Sequence, residues 1–138
     1  MQLINPPEWK RPKGYSNGVV ARGSMVFVAG QIGWTGDEVF ETDDFAGQAR
    51  QAFANTLRVL QEAGAGPEHI VRMTWFITSK REYLGAAREV GQAFRDCFGK
   101  NFPAMAVMEV TALMEDRAKI EIETTAVIPD WSPRRAGA

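Results

Sequence analysis

The chain has 138 residues, of which 45% are hydrophobic and 24% charged, and its formal net charge at pH 7 is −1. This length predicts one domain that buries about two-thirds of the surface of its unfolded chain. A near-neutral chain with scattered Lys and Arg residues lacks the basic footprint of a nucleic-acid-binding protein. The single cysteine, Cys97, excludes an internal disulfide, and the single His argues against a Cys/His zinc site. No apolar run approaches about 18 residues and no signal pattern opens the chain, so we expect a cytoplasmic protein without membrane contact.

The N-terminal part predicts an irregular arm followed by a hairpin. Residues 1–13 contain three prolines and little periodicity, so we expect a loose arm before a core of about residues 14–128. Residues 18–22 and 24–30 have the pattern of two strands that meet at Gly23, which predicts a β-hairpin. Residues 129–138 contain two prolines and predict a loose tail.

The middle of the chain predicts two helices separated by a strand. The first helix spans about residues 43–63, with Thr42 or Asp43 as its N-cap and Gly64 at its end. Its apolar stripe comprises Phe45, Ala49, Ala52, Phe53, Thr56, Leu57 and Leu60. Residues 69–78 predict the next strand, and Ser79 with Glu82 forms a capping box that starts the second helix. That helix ends at Gly99, and its stripe comprises Tyr83, Leu84, Ala87, Val90, Gly91, Phe94 and Phe98.

Residues 102–128 predict two final strands joined by a short polar connection at residues 114–118. In the last strand, polar and apolar residues alternate, with Ile120, Ile122, Thr124 and Ala126 on one side and Lys119, Glu121, Glu123 and Thr125 on the other. In the strand before it, we expect Ala106, Met108 and Val110 on the core side and Met105, Val107 and Glu109 on the other. The carboxylates therefore recur on one face of the sheet.

The predicted order is β-β-α-β-α-β-β, an α+β fold with one mixed sheet. Two helices with one apolar stripe each cover only one face of a five-stranded sheet. We expect the uncovered face to carry Met105 and Val107 beside Glu121 and Glu123. A face that mixes apolar and charged residues is either buried against another subunit, with polar clefts between, or solvated.

Several segments together resemble the RidA (YjgF-type) family of enamine/imine deaminases. They are residues 14–18 (GYSNG), 28–32 (VAGQI), 102–104 (FPA) and 120–123 (IEIE), with Gln48-Ala49-Arg50-Gln51 and Asn55 on the first helix. The likeness covers about residues 14–128 in the same order and spacing. It implies a chorismate-mutase-like fold that assembles as a homotrimer with a central barrel and with clefts between subunits.

The resemblance also implies a chemistry. Family members hydrolyse short-lived enamines and imines, such as 2-aminoacrylate, to a keto acid and ammonia without a cofactor or metal. Glu121 matches the glutamate that positions or activates the attacking water, and Tyr15 matches a tyrosine that assists. Gly30 and Gln31 match the substrate-binding segment, and the asparagine of the family's second helix falls at Arg88.

The sequence departs from the family where the substrate carboxylate is held. Met105 stands in place of the family's arginine, and Ala106 and Val107 replace the serine and cysteine that follow it. An arginine fork binds a carboxylate bidentately, whereas methionine offers a flexible apolar surface. We therefore expect a substrate that is larger and more apolar or aromatic than 2-aminoacrylate. Arg88, Arg81 or Lys80 is the candidate replacement cation.

Three functions remain as alternatives. The first is the deaminase, with Glu121 and Tyr15 as catalytic residues. The second is a non-catalytic trimer that binds a small molecule, in which Glu121 pairs with Lys119 or Lys100. The third, an endoribonuclease or translation inhibitor, is disfavoured by the near-neutral charge. Cys97 is expected to be a buried structural thiol, and Trp75 a core residue.

Overall fold

The computed structural model describes residues 1–131, which form six strands, three α-helices and a short 3₁₀ helix at Pro67–His69. Residues 132–138 of the expected tail lie outside the described residues. The strands are β1 (Gln2–Ile4), β2 (Gly18–Val20), β3 (Ser24–Ile32), β4 (Ile70–Ile77), β5 (Ala104–Glu109) and β6 (Ile120–Ile128). The helices are α1 (Phe45–Glu62), α2 (Lys80–Gly85) and α3 (Ala87–Phe98). None of these helices in the described part of the chain is long and apolar enough to cross a bilayer.

The main sheet is mixed, which confirms the predicted α+β fold. Its strand order is β3-β6-β4-β5. The β3/β6 and β6/β4 pairs are antiparallel, whereas β4 and β5 run parallel. A parallel pair needs a crossover connection, and α2 with α3 supplies it. β5 therefore forms one edge of the sheet, beside α3.

The predicted hairpin between residues 18–22 and 24–30 is wrong. β2 pairs with β1, so that Leu3 lies opposite Val19, and the main sheet has four strands among residues 1–131 rather than five. Residues 2–4 are therefore a strand and not part of a loose arm. Gly23 has φ +146°, and a Cβ there would clash with the carbonyl oxygen of Ile128. The chain continues from Gly23 into β3, which pairs with β6 from Ser24 opposite Ile128.

The first helix begins two residues later than expected and ends one residue earlier, at Glu62. The carboxylate of Asp44, not Thr42 or Asp43, caps it by accepting the Gly47 N–H at 2.9 Å. Thr42 Oγ1 instead accepts the Asp44 N–H at 3.0 Å. Gly64 has φ +79° just beyond the helix, a conformation that favours glycine. The predicted stripe is confirmed, since six of its seven members are buried and Leu57 packs against them.

The second predicted helix is divided at Ala86 into α2 and α3. Ser79 caps α2 by accepting the Glu82 N–H at 3.1 Å, as expected. The second half of the capping box is not formed, because the Glu82 carboxylate accepts a hydrogen bond from Lys119 Nζ at 2.7 Å. Gly99, with φ +66°, ends α3 as predicted.

An aromatic cluster forms the centre of the core between the sheet and the helices. The ring of Phe53 lies 5.3 Å from Trp75, 5.7 Å from Phe94 and 5.5 Å from Phe98. Trp75 is only 4% exposed, which confirms its predicted place in the core. Aromatic pairs at these separations add about 0.5–1.5 kcal/mol each beyond the area they bury.

The predicted faces of β6 are confirmed, but those of β5 are wrong. Ile120, Ile122, Thr124 and Ala126 are buried beneath the helices. In the β4/β5 register, Met105 lies opposite Met73 and Val107 opposite Trp75, and both β4 residues are buried on the helix side. Paired residues point to the same face of a sheet. Met105, Val107 and Glu109 therefore lie on the helix side, whereas Ala106 and Met108 lie on the open face.

Candidate functional site

Glu121 and Gly30 meet on the open face of the sheet. A bulge in β3 between Val28 and Gln31 sets two residues of β3 against one of β6. A Cβ built on Gly30 would lie 2.8 Å from both Cδ and Oε2 of Glu121. The Glu121 carboxylate therefore lies directly over the Gly30 backbone, and a larger residue at position 30 would displace it.

The Glu121 carboxylate has no hydrogen bond or ion pair to any of residues 1–131. The pairing with Lys119 that the sequence left open is absent, because Lys119 contacts Glu82 at 2.7 Å. In the register, Glu121 lies opposite Phe76 of β4. A half-buried carboxylate beside an aromatic ring and a glycine has its oxygens free to bind a water molecule or a substrate.

Tyr15 lies on a different surface, at the start of β5. Gly14 has φ +79°, which turns the chain just before the tyrosine. The Ser16 N–H donates to the Pro103 carbonyl at 3.0 Å, and Ser16 forms a bridge with Ala104. Ser16 is buried, whereas Tyr15 is 41% exposed. The arm is thus attached to the edge strand, and Tyr15 projects beside it.

Tyr15, Met105 and Val107 line a groove between β5 and α3, which we call the edge groove. It encloses about 400 Å³ and has Trp75, Val90 and Phe94 among its lining residues. Trp75, Val90 and Phe94 are buried and form its floor, whereas Tyr15 and Val107 are exposed at its rim. The groove lies on the helix side of the sheet, opposite to the face that carries Glu121.

Within one chain, the predicted site residues therefore form two groups. Gly30, Ala106 and Glu121 belong to the open face, and Tyr15, Met105 and Val107 to the edge groove. The expectation that Met105 and Val107 lie beside Glu121 is wrong. Gln31 lies opposite the buried Ile122 and so points away from Glu121, and its side-chain amide donates to the Ala29 carbonyl at 3.0 Å.

The cations that line the edge groove were not among those predicted. Arg88, Arg81 and Lys80 are exposed and do not line it, whereas Lys13 and Arg95 do. Lys13 was missed because its segment carried no periodic signal. Arg95 follows Gly91 by four residues, and i, i+4 spacing places the two on the same face of a helix. The i, i+4 spacing of Gly91 and Arg95 was the signal in the sequence from which Arg95 could have been identified as a groove residue.

Comparison with known proteins identifies the family. The family model described as Endoribonuclease L-PSP matches residues 8–128. The structure is similar to that of a protein of unknown function of the Rid family from Yersinia pestis. The TM-score is 0.81 at 28% identity, and the match covers 92% of this chain and 98% of that one. The chain belongs to the RidA/YjgF family.

Three other proteins are also similar to this RidA/YjgF chain. A RutC family protein of Synechocystis sp. is 30% identical over 94% of this chain and 98% of its own. A protein of Salmonella typhimurium named 2-iminobutanoate/2-iminopropanoate deaminase is 33% identical, over 76% of this chain and 80% of its own. The structure of E. coli TdcF with bound serine has a TM-score of 0.67 at 30% identity, covering 91% and 97% of the two chains.

In this RidA/YjgF member, burial changes the pKa of two further side chains, Tyr83 in the edge groove and Cys97 on α3. Burial raises the pKa of the Tyr83 phenol above its ordinary value. Burial also raises the pKa of the Cys97 thiol, which keeps it from being a ready nucleophile, as expected of a structural cysteine. No cluster of three His, Cys, Asp or Glu side chains suited to a metal ion occurs among residues 1–131.

Proposed function

We propose that this protein is a RidA-type deaminase that hydrolyses an enamine or imine to a carbonyl compound and ammonia. The observation that carries the proposal is the unpaired Glu121 carboxylate held over Gly30. It is the group that the family chemistry requires to position water. The naming of relatives from Salmonella typhimurium and Dermatophagoides farinae as 2-iminobutanoate/2-iminopropanoate deaminases supports the reaction class.

The reaction needs a base, an acid and a water molecule at one carbon. In the proposed mechanism, an enamine substrate first tautomerises to the imine, which is attacked in its protonated (iminium) form. Glu121 accepts a proton from water as the water oxygen attacks the iminium carbon, which gives a neutral carbinolamine. The protonated Glu121 then donates this proton to the amine nitrogen, the C–N bond breaks to release ammonia, and the hydroxyl group returns its proton to Glu121 as its C–O bond becomes the carbonyl. Tyr15 hydrogen-bonds the substrate. General acid–base catalysis of this kind contributes about 10²- to 10⁴-fold.

The proposal includes a cleft formed between subunits of a homotrimer. Glu121 and Tyr15 line different surfaces of one chain, so a substrate that contacts both must lie between two copies. The open face supports such an assembly, because it exposes large apolar side chains: Phe27 is 72%, Met25 58% and Met108 42% exposed. Large apolar side chains exposed at both edges of one sheet face are typical of a protein interface.

The substrate is proposed to differ from the small 2-imino acids of the named relatives. Met105 lines the edge groove and is half-buried against the core. It cannot form the bidentate hydrogen bonds with which an arginine holds a carboxylate. The bulk of the binding energy then comes from apolar contact, which favours a larger substrate.

The direct test is ammonia release from imino acids generated in situ by an amino-acid oxidase, measured as acceleration over the protein-free rate. We expect acceleration with the imino acids of phenylalanine and leucine and little with 2-iminopropionate. Equal acceleration with 2-iminopropionate would show that the missing arginine is dispensable and that the substrate argument is wrong. No acceleration with any imino acid would overturn the deaminase.

Gly30→Ala is expected to lower kcat/KM for the preferred imine by about tenfold to a hundredfold, since small displacements of catalytic groups have effects of this size. The added Cβ would meet the end of the flexible Glu121 side chain, so the carboxylate moves while the backbone keeps its conformation. The measurement is ammonia release beside a thermal melt. Gly36→Ala is the matched control, because a Cβ there has no neighbour within 4 Å. Equal losses in both variants would refute a local effect on Glu121.

The second candidate function is a trimer that binds a small molecule without turnover. Met105 favours it, because the residue on which the family's substrate binding depends is absent. In such a protein, changing Glu121 alters ligand affinity and there is no turnover to lose. The description of the family model as an endoribonuclease suggests RNA binding as a third candidate function. A steep salt dependence of RNA binding would support that function.

A further inference from the structure

The edge groove is unusually aromatic and carries only positive charge. Five of its lining residues are aromatic: Tyr15, Trp75, Tyr83, Phe94 and Phe102. Its charged lining residues are Lys13 and Arg95, with no Asp or Glu in the lining. Small-molecule pockets enclose about 300–1,000 Å³ and combine apolar walls with a few polar groups. The edge groove, at about 400 Å³, is of this kind.

The two cations at the rim are available to a ligand. Neither Lys13 nor Arg95 forms an ion pair with any other residue of the described range 1–131. Arg95 Nη2 donates only to the neutral Gln92 Oε1, at 3.2 Å. An anion at this rim would therefore meet two cations that form no direct ion pair, although the Asp96 carboxylate, which is paired with Arg50, lies near enough to Arg95 to interact with its charge. At the floor, the buried Nε1–H of Trp75 has no acceptor within the same range.

Gly91 keeps one wall of the groove open. It lies inside α3, where glycine is less favourable than alanine, and its φ is not positive. A Cβ on Gly91 would contact only Arg95 Nη1, at 3.4 Å, so the backbone packing does not require glycine. The space that a side chain would occupy is instead part of the edge groove. Glycine at position 91 thus lowers the stability of the helix, but it leaves space in the groove and allows the Arg95 guanidinium to lie close to the helix backbone.

We propose that the edge groove binds the aromatic side chain of the substrate, with the substrate's carboxylate at Lys13 and Arg95 and with Gly91 as the residue that admits the ring. This inference rests on the proposed function, because it treats the groove as the apolar half of the reaction cleft. The rim cations take over, from another direction, the charge that Met105 does not supply. The preferred substrate class is the imine or enamine of an aromatic 2-amino acid.

Calorimetry with three stable probes tests the binding mode in the full-length protein. 3-Phenylpropanoate has both the ring and the charge, propanoate lacks the ring, and 3-phenylpropanamide lacks the charge. We expect propanoate to bind at least about tenfold more weakly than 3-phenylpropanoate, since burial of a ring contributes on that scale. The amide should bind about threefold to fivefold more weakly, as exposed ion pairs imply. Equal affinity for propanoate and 3-phenylpropanoate would overturn the proposal.

Two leucine variants locate the site. Gly91→Leu should weaken 3-phenylpropanoate at least about tenfold by filling the groove. Gly85→Leu is the matched control, because Gly85 does not line the groove and a Cβ there has no neighbour within 4 Å. Thermal melts and the oligomeric state of both variants should match those of the unmodified protein.

In ¹⁵N-labelled protein, the Trp75 indole signal, assigned by its loss in Trp75→Phe, should shift with 3-phenylpropanoate. No such shift, or equal weakening in both leucine variants, would contradict binding in the edge groove.

The failure of this inference is distinguishable from failure of the proposed function. None of the three probes is an imine, so their binding is independent of turnover. If the protein accelerates imine hydrolysis but binds the three probes with equal affinity, the deaminase proposal stands and the edge groove does not determine specificity. If 3-phenylpropanoate binds in the groove but the protein does not accelerate imine hydrolysis, the proposed ligand class stands and the proposed reaction does not.

Discussion

We expect Glu121→Gln to lower kcat for the preferred imine by about 10²- to 10⁴-fold, the range for loss of a general base. The amide has nearly the shape of the carboxylate, so it fits over Gly30 in the same way. It cannot accept a proton from water, because its nitrogen has no free lone pair and its oxygen is a weak base. The measurement is ammonia release under saturating substrate, with a thermal melt and light scattering to confirm an unchanged fold and assembly.

The control for this variant lies two residues along the same strand. Glu123→Gln changes the same chemical group on the same open face, opposite Thr74. We expect kcat to stay within about twofold, because Glu123 is exposed and lies about 7 Å along the strand from Glu121, beyond direct contact with a water molecule held there. If Glu121→Gln retains more than about a third of kcat, then Glu121 is not the base. If both variants lose activity equally, the effect arises from the charge of the face and not from one catalytic carboxylate.

We expect Gln48→Leu to lower the free energy of unfolding by about 3–5 kcal/mol, since three partly buried backbone groups lose their partner and each such loss costs about 1–3 kcal/mol. Gln48 is fully buried at the start of α1. Its Nε2 donates to the carbonyls of Thr42 (3.1 Å) and Arg117 (2.9 Å). Its Oε1 accepts the Lys119 N–H at 2.8 Å. Leucine fills a similar volume but satisfies none of these three groups.

Urea unfolding at fixed protein concentration measures this effect, because assembly makes stability depend on concentration. Gln61→Leu, at an exposed position of the same helix, is the control and should change stability by less than about 0.5 kcal/mol. A loss below about 1 kcal/mol in Gln48→Leu would show that water replaces the side chain. The result also bears on the site, since Gln48 holds the chain immediately before Glu121.

The elements with strong periodicity were predictable from the sequence. In α1 every third to fourth residue lies on one face, and in β6 every second residue does. The buried residues of both elements follow these patterns. The meeting of Gly30 and Glu121 was predictable only through the family resemblance. Their contact depends on a bulge in β3, and no local pattern in residues 28–31 indicates one.

The faces of β5 were not predictable, because its sequence does not alternate. Five of its six residues are apolar, so either face fits the core by hydrophobicity alone. The pairing of Met105 with Met73 decides the question, and a shift of one residue would exchange the two faces. The partner of β2 was likewise decided by a long-range pairing, with Gln2–Ile4, and not by the turn-like residues around Gly23.

By itself, the sequence determined the fold class, the family and the residue types at each family position, including Met105 in place of the arginine. These follow from local periodicity and from matched motifs, which need no knowledge of long-range contacts. The tertiary structure alone decided that Glu121 and Met105 lie on opposite faces of the sheet, and that Lys13, Gly91 and Arg95 border one groove. Such groupings depend on strand register and on the docking of α3 against the sheet edge, which join residues far apart in the chain.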